Sequence, residues 1–121
     1  MAESLLTRVS RGGQHTEDMA EGFVGIMQFE LHLPESGSLK AKRKHLLHTK
    51  AQLEHRFGAS VAEISHHELW QRAGLAMSVV RRDARHTLEA LHDAERYLSA
   101  QEYELISVRS RVVSVEEALE R

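Results

Sequence analysis

From Phe23 to Leu33 the chain alternates, with Phe23, Met27, Phe29, Leu31 and Leu33 on one side and Gln28, Glu30 and His32 on the other. A period of two is the mark of a half-buried strand. Pro34-Glu35-Ser36-Gly37 ends it, and Ser38 is a suitable N-cap for a helix. Leu39, Leu46, Leu47, Leu53 and Phe57 then recur at helical spacing, and Gly58 supplies the stop. Two more strands are expected, at Ala59 to His66 and Ala73 to Arg81. In the first of these, Ala62 and Ile64 share one face and Val61, Glu63 and Ser65 the other. Asp83 caps a second helix with the stripe Ala84, Leu88, Leu91, Ala94 and Leu98, and a valine-rich strand runs from Tyr103 to Val113.

The predicted order is β-α-β-β-α-β. Two amphipathic helices, each with one apolar stripe, can cover one face of a four-stranded antiparallel sheet. The fold class expected is therefore α+β, a ferredoxin-like sandwich spanning residues 23–115. The other sheet face is expected to be open and polar, with Gln28, Glu30, Glu63 and Arg109 on it. Glu30 and Glu63 would pair across strands with Arg109 and Arg111. Residues 1–22, with Arg11-Gly12-Gly13-Gln14 and few apolar anchors, read as a flexible arm or a short marginal helix, and 116–121 as a short tail.

Composition narrows the function classes. The 121 residues contain 41% hydrophobic and 28% charged positions, ordinary for a globular domain and wrong for a disordered one. No cysteine is present, which excludes disulfides and thiolate metal sites. No basic start leads into an apolar run, so a cytoplasmic protein is expected. The net charge of −2 gives no global attraction to nucleic acid, but it is unevenly spread. Between Lys40 and Arg56 stand six Lys or Arg and one acid, Glu54.

That basic run carries the candidate site. Lys40, Lys42, Arg43 and Lys44 fall in the first two turns of the first helix, where they oppose the positive end of its dipole. Exposed amides with clustered cations make a phosphate seat; the plainer reading is a solvated face. The topology brings this helix start close to His66, His67, Trp70 and Arg72, so that a nucleic-acid backbone and a stacked base could be held together. A lone Trp is more often a packing residue, so Trp70 is expected to fold onto the core, and Arg72 has the alternative of a carboxylate partner. Arg81, Arg82 and Arg85 lie at the opposite end. The open face offers no aromatic residues for base readout by the sheet, and no GXXG loop is present.

Neither a metal nor a cofactor is expected. His45 and His48, or His66 and His67 with Glu63, have no further ligands at a recognisable spacing. No nucleophile motif or Gly-rich phosphate loop occurs, so an enzyme is not expected.

Three segments, E-L-H-L-P at Glu30–Pro34, S-L-K-A-K-R at Ser38–Arg43 and L-W-Q-R-A at Leu69–Ala73, resemble the YlxP-like family of bacterial proteins. The resemblance covers about Phe23 to Val115 and includes Arg56-Phe57-Gly58-Ala59-Ser60-Val61-Ala62-Glu63. It implies a ferredoxin-like fold and lends no catalytic residues. Ser65-His66-His67-Glu68 stands where relatives carry a Gly-His-Gln-Asp-like run. Genes of the family often lie beside those of ribosome-maturation and translation-initiation factors, an association that, with the basic helix start, makes ribosomal RNA or the small ribosomal subunit the expected partner. The rival expectation is a protein-interaction module, homodimeric through its sheet.

Overall fold

A computed structural model describes residues 9–10 and 21–120. The elements are β1 (Val9–Ser10), β2 (Phe23–His32), α1 (Leu39–Phe57), β3 (Ser60–Ser65), β4 (Arg72–Arg81), α2 (Ala84–Ser99), β5 (Glu104–Ser114) and α3 (Val115–Ala118). Strand order in the sheet is β1-β5-β2-β4-β3. The four long strands pair antiparallel, as the βαββαβ order requires, and every expected boundary among them lies within one residue of that observed. The two-residue β1 is an addition: it pairs in parallel with β5, Val9 opposite Val112, inside the segment that the sequence presents as an arm or helix. The rest of that expected arm lies outside the described residues, apart from 21 and 22.

Register obeys the apolar alternation. Met27, Phe29 and Leu31 of β2 and Ala73, Leu75, Met77 and Val79 of β4 point to the same side and are buried there. Val108 and Val112 of β5 complete that side. Both helices close over it, α1 contributing Leu46 and Leu53 and α2 contributing Ala90, Leu91, Ala94 and Leu98. Each fully buried leucine of this set stabilises the fold by roughly 1.5–3 kcal/mol.

The helices begin and end where the cap residues direct. The Ser38 hydroxyl accepts from the Ala41 amide at 3.0 Å, and the Asp83 carboxylate accepts from the His86 amide at 2.8 Å. Gly58 takes the left-handed φ of 63° and returns its N–H to the Glu54 carbonyl. Helix α2 lies close on β2: a Cβ on Gly25 would stand 2.9 Å from Thr87 Cγ2 and 3.0 Å from Leu91 Cδ1. Only a residue without a side chain permits that approach. Helix α1 departs from its expected stripe, because Leu47 is exposed while Lys42 and Thr49 are buried.

Candidate nucleic-acid interface

The inward stripe of α1 is Lys42, Leu46, Thr49 and Leu53, at spacings of four, three and four. Lys42 therefore belongs to the core side of the helix and is 2% exposed. Its Nζ donates to the carbonyls of His66 at 2.6 Å and Leu69 at 2.8 Å, and stands 3.0 Å from Glu63 Oε2. Two of the ammonium's protons go to those carbonyls, and the Glu63 carboxylate answers its charge. Lys42 is therefore not available to a phosphate, contrary to the expectation from the basic run. Glu63 is corrected with it: it lies on the helix side of β3, not on the open face.

Lys42 instead holds the β3–β4 turn, residues 66–71, against the start of α1. The same turn is tied from its other side. Gln71 Nε2 donates to the Pro34 and Ser36 carbonyls at 3.1 and 3.3 Å, and the Leu33 amide donates to the Gln71 carbonyl at 2.8 Å. His66 takes a φ of 64°, uncommon outside glycine. Its ring sits 3.0 Å from Glu30 Oε2 while its carbonyl faces Lys42. The expected meeting of the helix start with residues 66–72 is thus present, with Lys42 as its anchor.

Trp70 stands at the tip of this turn and is 53% exposed, beside a half-exposed Leu69. The expected fold-back onto the core does not occur; of the L-W-Q-R-A segment only Ala73 is buried. Arg72 is corrected the other way. Its Nε donates to Glu30 Oε2 at 2.8 Å, and its Nη2 pairs with the same oxygen, so its charge is already answered.

Lys40, Arg43 and Lys44 remain. All three are exposed, and among the described residues none has a carboxylate partner. With Leu47 and His48 they form an outward stripe at spacings of three, one, three and one. The cations at the far end differ: Arg81 donates to the Phe57 carbonyl, Arg82 pairs with Glu21, and Arg85 pairs with Glu89. Arg56 lies 4.7 Å over the Tyr97 ring and donates to Gln52.

Beside the stripe, a cleft of about 280 Å³ opens between the β2–α1 loop, the α1 flank carrying His45, His48 and Thr49, and residues 101–103. The Thr49 hydroxyl donates to the Tyr103 hydroxyl at 3.2 Å. Burial pushes the Tyr103 phenol above its ordinary value, against the smaller opposing effect of that bond. Nothing in the composition marks this cleft, because its lining comes from three separate segments.

On the open sheet face the expected pairs of Glu30 and Glu63 with Arg109 and Arg111 are absent. The register sets Arg109 opposite Gln28, to which it donates at 3.1 Å, and Arg111 opposite Ile26. Glu30 faces Ser107 instead and holds Arg72 and His66. Ile26, Ile64 and Val80 are exposed on that face.

The profile of the family described as "Protein of unknown function (DUF503)" matches residues 24–110. The chain belongs to this family. Uncharacterized protein YlxP of Bacillus subtilis (strain 168) is 30% identical over 57 residues, which are 47% of this chain and 62% of that protein. The match thus spans less than two thirds of the relative's length. An amidase of the hydantoinase/carbamoylase family from Burkholderia phymatum aligns in structure at a TM-score of 0.36 and 17% identity, over 91% of this chain and 34% of the amidase. The resemblance carried by E-L-H-L-P, S-L-K-A-K-R and L-W-Q-R-A and the DUF503 family agree. Among the described residues no helix is long and apolar enough to cross a membrane, and no three His, Cys, Asp or Glu side chains are grouped to hold a metal.

Proposed function

We propose that this DUF503 protein is a non-enzymatic RNA-binding protein acting on ribosomal RNA or the small ribosomal subunit. The observation that carries the reading is the outward stripe of Lys40, Arg43 and Lys44, exposed and without carboxylate partners among the described residues. Three adjacent cations left unanswered, in a chain whose net charge is −2, favour a polyanion. Trp70 adds a second element. It is a solvent-exposed indole on a turn tied to the same helix start, suited to stacking on an unpaired base.

The test is charge reversal. The variant Lys40→Glu/Arg43→Glu/Lys44→Glu is expected to lose binding to ribosomal RNA while keeping its helical circular dichroism and melting temperature. Retained binding in the folded variant would remove the assignment. Lys42 is excluded from this test because reversing its charge would break the turn anchor.

A second reading, a homodimeric interaction module, draws on exposed Ile26, Ile64 and Val80 of the open sheet face. It calls for a mass that rises with concentration and for RNA binding indifferent to the charge reversal.

A further inference from the structure

The cleft beside α1 is asymmetric in its chemistry. Its apolar lining comes from Leu33, Pro34 and Tyr103. Its polar lining divides by chemistry: the carboxylates of Glu35 and Glu102 stand on the two loops, whereas the imidazoles of His45 and His48 stand on the helix. His48 is four residues beyond Lys44, so the histidine side of the cleft runs directly into the basic stripe. A ligand matched to this arrangement has an anionic end and a flat, neutral, donor-bearing end. A nucleotide has both.

Resting on the RNA-binding reading, we infer that this cleft takes one base of the bound RNA, guanine in preference to the others, with its phosphate directed to His48 and Lys44. The volume of about 280 Å³ lies just below the usual ~300–1,000 Å³ of small-molecule pockets, which fits one base rather than a dinucleotide. Selectivity comes from the carboxylates. An ionised carboxylate only accepts. The Watson–Crick edge of guanine offers it two adjacent donors, N1–H and the N2 amino group. Adenine and cytosine offer one amino group beside an acceptor, and uracil offers one N–H flanked by carbonyls that a carboxylate repels. The expected order of affinity is guanine first and uracil last.

Two further groups agree. Gln101 Nε2 already donates to the Tyr97 carbonyl at 2.9 Å, which leaves its side-chain oxygen as another acceptor. The Tyr103 oxygen accepts from Thr49 and keeps its own proton to donate, and burial holds that proton on the phenol. Guanine O6 is an acceptor for it.

The experiment titrates the full chain with GMP, AMP, CMP and UMP at neutral pH and tracks amide chemical shifts. GMP is expected to bind at least ~5-fold tighter than UMP, the lower end of the discrimination a bidentate base contact gives. Shifts should centre on Thr49 and Tyr103. Glu35 and Glu102 are both exposed, so Glu35→Gln/Glu102→Gln should fold normally and lose the preference. Equal binding of the four nucleotides, or a preference that survives this variant, overturns the inference. Parallel titrations with oligo(U) and a guanine-containing oligonucleotide separate it from the reading beneath it. Equal binding of both, lost on reversing Lys40, Arg43 and Lys44, would sink the guanine cleft and leave RNA binding standing. GMP bound in the cleft with neither oligonucleotide bound would sink the RNA reading itself.

Discussion

The ammonium of Lys42 has three protons and three acceptors around it: two turn carbonyls and the Glu63 carboxylate. Taking it away leaves those acceptors facing a gap. Because Glu63 keeps 23% exposure and can recover some water, Lys42→Ala is expected to cost roughly 3 kcal/mol, the low end for breaking a buried pair. Urea unfolding measures it, and a cost under ~1 kcal/mol would mean that the anchor is dispensable. The position of Lys42 was readable: it stands four residues before Leu46 and eleven before Leu53, on the helix's apolar line. The density of Lys and Arg around it masks that periodicity. Trp70 was not readable, since its exposure depends on a turn fixed by Lys42 and by the Pro34 and Ser36 carbonyls, all from distant segments.

Asp83 gives the residue-scale dependence on pH. The His86 amide and then its ring hold the Asp83 carboxyl below its ordinary value. A depressed folded-state value means that the cap's stabilisation is present above the unfolded value near ~4 and lost as pH falls through the folded one. Asp83→Ala should therefore melt below wild type at pH 7, with the gap narrowing toward pH 2. A gap independent of pH would show that the carboxylate charge is irrelevant to the cap.

At the scale of elements, α1 differs in kind from α2. The buried positions of α2 are small or aliphatic apart from Thr87, whereas half of those in α1 are polar, Lys42 and Thr49. Apolar periodicity therefore located α2 with its true face and α1 with Leu47 on the wrong one. Strand β3 was ambiguous for a similar reason: each of its faces carries one sizeable aliphatic residue, Val61 or Ile64, so alternation could not say which side Glu63 takes. The seat of α2 on β2 turns on Gly25. Gly25→Ala is expected to destabilise by about 1–3 kcal/mol, since Thr87 and Leu91 must shift; an unchanged denaturant midpoint would refute this close approach. The turn 66–71 offers a spectroscopic check, because Trp70 is the chain's one tryptophan. Its emission should be red-shifted and readily quenched by iodide in the free protein, and protected when RNA is bound. A blue-shifted, unquenchable signal in the free protein would contradict the exposed turn.

For the whole molecule, the βαββαβ order was legible because strands and helices have different periods and the breaks fall at Pro34, Gly58 and Asp83. The charge layout was not. Sequence counts cations, but only the fold says which are answered: Lys42 by Glu63, Arg72 by Glu30, Arg85 by Glu89. Lys40, Arg43 and Lys44 have no such answer among the described residues and share one outward stripe on α1, next to an exposed indole and a cleft lined by two histidines. The most direct measurement is the salt dependence of binding to single-stranded ribosomal RNA segments, for wild type and for Arg43→Gln. Three phosphate contacts predict a log–log slope of about −2, at roughly −0.7 per contact, and Arg43→Gln should make it shallower by about 0.7. A slope near zero, or one that Arg43→Gln leaves unchanged, would contradict the assignment of Lys40, Arg43 and Lys44 to the RNA backbone.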